Sequence, residues 1–81
     1  MVMSRKELEL LERIAKDPEV MVGKPVIRGN RITVEYVLRL ASNGMSTDDI
    51  LAEYTHLTRE DVFACFLYAE KVMARNAFLP L

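Results

Sequence analysis

Lys24, Arg28 and Arg31 put three cations within eight residues, with Gly29 and Asn30 between the two arginines. Guanidinium and ammonium groups beside the open amides of a glycine turn are suited to phosphate oxygens. Two readings stay open at this level. Lys24, Arg28, Asn30 and Arg31 contact a nucleic-acid backbone, with Arg59 nearer the base edges, or they flank a surface turn and remain hydrated. Other chemistries find few residues to work with. The single histidine, His56, and the single cysteine, Cys65, stand nine positions apart and share no metal-ligand spacing. Cys65 falls at the edge of an apolar helix stripe, where a thiol behaves as a small inert hydrophobe. Asp48, Asp49, Glu60 and Asp61 lie in first helical turns, where carboxylates complement the helix dipole. "VGKPVIRG" lacks the G-x-x-x-x-G-K-[ST] arrangement of a nucleotide loop. The expectation is a protein that is no enzyme and has no metal, cofactor or small-molecule substrate.

The chain as a whole limits the choice further. Its 81 residues make one domain, 1–81, and 51% of them are apolar, more than so small a body can hide. Self-association, a dimer, or a bound partner is therefore expected. Eleven cations against twelve acids give a net charge of −1, so nucleic-acid binding must rely on a local patch. No apolar run approaches the roughly 18 residues that span a bilayer, and the first residues do not read as a signal peptide. One cysteine permits no internal disulfide. A soluble cytoplasmic protein is the expectation.

Local punctuation defines the elements that must position the cations. Ser4 and Glu7 have the capping-box spacing, and Leu8, Leu11, Ile14 and Ala15 then recur at helical intervals, which predicts a helix over about 5–16 ended by Asp17-Pro18. Val20-Met21-Val22 and Val26-Ile27 are β-prone, and Arg28-Gly29-Asn30-Arg31 reads as a tight turn, so a small hairpin or β-like arm is expected. Pro25 argues against a long central strand. Thr33 caps a helix carrying Val34, Val37, Leu38 and Ala41, which Gly44 stops. Ser46 with Asp49 opens a short helix, and Thr58 with Asp61 opens a long one over about 59–75.

On that last helix Val62, Phe66, Ala69, Val72 and Met73 share the predicted core stripe, while Phe63 and Leu67 lie well off it. Phe63, Leu67 and the apolar tail Phe78, Leu79 and Leu81 (within 76–81) are candidates for an oligomer or partner interface. A crowded core with a loosely attached tail is the alternative. The short helix, turn and long helix, with a third helix before them, have the lengths of a helix-turn-helix.

"DPEVMVGKPVIRGNRITVEYVLRLASNGMSTDDILAEYTHLTREDVFACFLYA", about residues 17–69, resembles the family known as domain of unknown function 433. The matching positions are Gly23, Lys24, Pro25, Ile27, Gly29, Arg31 and Ile32, then Gly44, Met45, Ser46, Tyr54, His56, Leu57 and Thr58. Asn30 replaces the usual threonine and Thr55 the usual proline. The resemblance implies a mainly α fold: a three-helix, homeodomain-like or winged helix-turn-helix bundle, here with an extra N-terminal helix and a small β-hairpin or arm. It also implies an antitoxin-type role in a toxin-antitoxin system, with operator DNA and a PIN-like ribonuclease toxin as partners. A protein-interaction module that neutralises such a partner without touching DNA is the alternative function.

Overall fold

The computed structural model of the chain describes residues 3–75. It is mainly α, with four helices and one two-stranded hairpin: α1 (Arg5–Leu11), β1 (Ile14–Lys16), β2 (Pro25–Ile27), α2 (Val34–Ser42), α3 (Thr47–Glu53) and α4 (Arg59–Arg75). An extra helix and the hairpin thus precede a helix-turn-helix-like core. No helix among the described residues is long and apolar enough to cross a membrane.

The helix starts follow their local chemistry. Ser4 and Glu7 close a reciprocal capping box at α1, and Ser46 and Asp49 close another at α3. The Ser46 amide and hydroxyl hold the Asp49 carboxyl below its ordinary range. Thr33 Oγ1 accepts the Tyr36 amide at 2.9 Å to start α2. At the other end of α2, Gly44 adopts φ +100°, its amide bonds the Ala41 carbonyl, and the Met45 amide bonds that of Leu40. This pair of bonds satisfies carbonyls that a helix end would otherwise leave open, and it requires a left-handed residue at Gly44.

Two expectations fail between residues 12 and 23. The helical pattern predicted through residue 16 stops at Leu11, and Ile14–Lys16 forms β1 instead. Ile14 pairs with Ile27 and Lys16 with Pro25 in antiparallel register. The ladder keeps the backbone bonded while burying Ile14 and Ile27 together in the core, which a continued helix would not do. Pro25 takes the first position of its strand, where the missing amide matters least. The β-prone Val20-Met21-Val22 forms no strand either: Met21, Val22 and Gly23 have φ of 50°, 56° and 76° in a tight left-handed turn. Gly23 and Lys24 amides bond the Val20 and Met21 carbonyls and close it.

After β2 the chain reverses through Gly29 at φ +80°, with the Asn30 amide on the Ile27 carbonyl and the Ile27 amide on that of Ile32. Thr33 then bridges Val26. One threonine thus joins the hairpin's far side to the start of α2.

Among the described residues the core is aliphatic and holds no aromatic ring: Ile14, Ile27, Val34, Val37, Ile50, Leu57, Val62, Ala64 and Cys65. Ala64 and Cys65 are fully buried on α4, whereas Phe66, Val72 and Met73, expected inside, are 39%, 38% and 57% exposed. The buried stripe is turned toward Asp61, which is itself only 8% exposed. Its carboxylate accepts the Thr58 amide at 2.9 Å and Arg13 Nη1 at 3.1 Å. A paired aspartate can face inward where a bare one could not, and this turns Phe66 outward. Tyr36 and Tyr54 join α2 to the end of α3, with hydroxyls 2.6 Å apart and rings edge-to-face. The hydrogen bond with the Tyr36 hydroxyl raises the pKa of Tyr54 above its ordinary value.

Asp61→Ala removes a helix cap and strands a half-buried guanidinium. It is expected to lower the unfolding free energy by about 2–3 kcal/mol, and Arg13→Ala by about 1 kcal/mol, both read from urea denaturation. Burial, and secondarily the Asp61 charge, pushes the Cys65 thiol up to about 12. At pH 8 a disulfide reagent should therefore label Cys65 only as fast as the domain opens, and at once in denaturant.

Candidate nucleic-acid and partner interfaces

The hairpin and the helix starts decide what the five candidate nucleic-acid residues can do. Lys24 follows the left-handed turn, and its ammonium meets the Glu35 carboxylate at 3.0 Å. That contact holds Glu35 below its ordinary range although the group is open to solvent. Arg28 begins the Gly29 turn and bends back along the molecule. Its Nε donates to the Glu12 carbonyl at 2.8 Å and Nη2 to that of Ile14 at 3.4 Å, clasping the end of α1 to β1. Asn30 Nδ2 donates to the Arg28 carbonyl at 3.4 Å, a bond that serves the turn. Arg59, in the first turn of α4, forms a close ion pair with Asp48 in the first turn of α3.

Arg31 differs from the other four. Its side chain is exposed and makes no hydrogen bond or ion pair among the described residues. With Arg28, Gly29 and Asn30 it lines a cleft of about 410 Å³ that Ala15, Asp17, Val20 and Val26 also line. The structure thus brings Arg28, Asn30 and Arg31 together and sets Lys24 and Arg59 apart from them in separate ion pairs. Exposed ion pairs are worth less than about 1 kcal/mol, so a phosphate could displace Glu35 from Lys24 or Asp48 from Arg59 at little cost. The Arg28 clasp is different, because its carbonyl partners are part of the fold.

α4 presents little that reads bases. Major-groove readers offer Arg, Lys, Asn or Gln to base edges. Beyond Arg59, the exposed residues of α4 are Glu60, Phe63, Phe66, Glu70, Val72, Met73, Ala74 and, in its last turn, Arg75, with Leu67 half-buried among them. Phe63 is 44% exposed. Of the interface residues named from sequence, Phe63 and Leu67 lie among these, while Phe78, Leu79 and Leu81 lie outside the described residues.

Reasoning from sequence missed Glu35 and Asp48 as partners of the cations, since each contact spans eleven residues of chain and no periodic signal marks it. It also missed Phe66 and Met73 as surface residues. Their spacing from Phe63 and Leu67 on one helix was the available clue. His56 is exposed in the turn before Thr58 and makes no hydrogen bond among the described residues. No group of three His, Cys, Asp or Glu among the described residues could hold a metal.

Comparison with known proteins gives one consistent match. Residues 14–69 match the family model described as protein of unknown function (DUF433). The fold is also similar to the crystal structure of a DUF433 member protein from Anabaena variabilis ATCC 29413. The two are 30% identical, the match covers 84% of this chain and 68% of that one, and the TM-score is 0.73. No curated protein matches. The hairpin, the Gly29 turn and most of the helical core fall within the matched segment, and on this evidence the chain belongs to the DUF433 family.

Proposed function

We propose that this chain is an antitoxin-type transcriptional regulator: a dimeric helix-turn-helix protein that binds operator DNA and pairs with a PIN-like ribonuclease toxin. The observation that carries the reading is the α3–turn–α4 unit. Both helices begin in reciprocal caps, Leu57 anchors the turn in the core, and α2 packs behind α4. That is the architecture of a helix-turn-helix, and the family resemblance supports the antitoxin role. Arg31 meets a phosphate directly, and Lys24 and Arg59 exchange their exposed carboxylate partners for phosphates. Arg28 holds the turn that carries Arg31. The reading places the protein in the cytoplasm.

A second reading has its own observation. Lys24 and Arg59 are neutralised by acids within the chain, and between Arg59 and Arg75 the exposed residues of α4 are apolar or acidic. In that case the chain is an interaction module that neutralises the ribonuclease without touching DNA.

A mobility-shift titration against DNA upstream of the protein's own gene separates the two. The regulator forms a complex whose affinity falls steeply with salt, and Arg31→Ala weakens it and lowers the salt slope by about one. Absence of any salt-sensitive complex favours the interaction module. For that module, Phe63→Asp should abolish capture of the co-expressed ribonuclease. Deleting residues 77–81 without loss of capture would remove the tail from the interface.

A further inference from the structure

We propose that residues 77–81 fold back along α4 and lie, within the same chain, in the apolar groove between α1 and the end of α4. Such a fold-back needs neither DNA nor a ribonuclease, so it goes beyond both readings above and holds or fails independently of them.

The groove follows from the way α1 packs. Arg13 meets Asp61 near the start of α4, and Glu7 meets Lys71 at 3.8 Å near its end. α1 therefore runs back along α4, and Met3 and Arg75 come to line one groove of about 630 Å³. That volume is in the range that holds a small ligand or a short peptide. The apolar lining is Met3, Leu11, Ile14, Tyr68, Val72 and Ala74. Ile14 belongs to the core, so the groove opens onto the edge of the core itself. Val72, 38% exposed, and the half-buried Leu11 and Tyr68 leave apolar surface open along it.

Three charged residues also line the groove and limit what it accepts: Glu70, Lys71 and Arg75. Lys71 is already paired with Glu7 and, at 3.2 Å, with Glu70. Arg75 is exposed at the end of the helix. An uncharged, apolar occupant leaves these pairs as they are, whereas a charged one must compete with them.

The chain itself carries such a segment. The six residues that follow Arg75 are Asn76, Ala77, Phe78, Leu79, Pro80 and Leu81, and none is charged. Asparagine is one of the few types that readily take the left-handed conformation with which helix ends reverse the chain. Pro80 disfavours a helical Leu79, so the segment suits an extended strap better than further turns of α4. Its length fits as well. Tyr68 lies about 10 Å back along the helix from Arg75, and residues 77–81 span about 16 Å when extended. Tethering then selects the source. A segment joined to the edge of the groove by one or two residues has an effective concentration on the order of millimolar, well above that of a separate chain at micromolar levels. A ribonuclease that used the tail would first have to lift it from this groove.

Nuclear Overhauser contacts in the labelled full chain test the proposal. They are expected between Phe78, Leu79 or Leu81 and the side chains of Leu11, Ile14 and Val72, with amide shifts unchanged from about 50 to 500 μM. Phe78→Asp combined with Leu79→Asp should remove these contacts and lower the Tm by about 4–8 °C. Val72→Asp should lose the same contacts, whereas Met73→Asp, exposed but outside the groove, should keep them. Circular dichroism checks that each variant retains its helices. The tail variants added to Val72→Asp should lower the Tm little further, because both break one interaction. Absence of contacts between residues 77–81 and the groove in the unmodified chain overturns the proposal, as it would if the groove took a different protein. Contacts from the tail to Phe63 and Phe66 instead, or from Met1 and Val2 in the tail's place, also overturn it. So do contacts that appear only between differently labelled chains, which mean an exchange of tails between two copies.

Discussion

The Asp61 carboxylate is the point on which the domain turns. One oxygen accepts the Thr58 amide and starts α4, and the other accepts Arg13 from the junction of α1 and β1, 48 residues earlier in the chain. A single side chain thereby sets where the longest helix begins and which way it faces. It also fixes where the hairpin sits against that helix. Because the pair is only partly buried, its geometry matters more than its raw strength. Rotating α4 so that Phe66 took the place of Cys65 would withdraw Asp61 from Arg13 and force an aromatic ring into a site filled by a thiol.

The candidate interfaces follow from that orientation. With Asp61, Ala64 and Cys65 turned inward, Phe63 and Phe66 turn outward, and α4 acquires a surface suited to protein contact. The cations are arranged by different means. Arg28 is consumed by carbonyls of the chain's own first turns, and this holds the Gly29 turn so that Arg31 projects freely. A residue that looks like a ligand-binding cation in sequence is therefore a positioning residue for its neighbour three places on. The nearly neutral chain makes the remaining positive charge local, and the paired acids Glu35 and Asp48 are the competitors that any phosphate must displace.

What was legible in the sequence was whatever a few neighbouring residues decide. Ser4, Thr33, Ser46 and Thr58 announce four helices through caps that span three residues, and Gly44 announces a stop. The ends set by distant contacts were not legible. α1 has helical periodicity through Ala15 but ends at Leu11, and Ile14–Lys16 pair with Pro25–Ile27 instead, which buries Ile14 against Ile27 in the core. The core stripe of α4 was misplaced for a related reason. An aspartate in a first turn reads as solvated, and nothing within ten residues reveals the arginine that lets it point inward. The same holds for the candidate site: the cations are visible by type, but whether each is already satisfied depends on residues eleven or more positions away.

The turn at Met21–Gly23 has a consequence for how this fold can be improved. Val22 is 93% exposed, packs against almost nothing, and holds a left-handed backbone that costs a β-branched residue about 1–2 kcal/mol. Glycine there would surrender about 0.5–1 kcal/mol through the freedom it gains when unfolded, which is less than the strain it relieves. The usual rule for thermostabilising a protein, to replace loop glycines with something stiffer, runs backwards at this position.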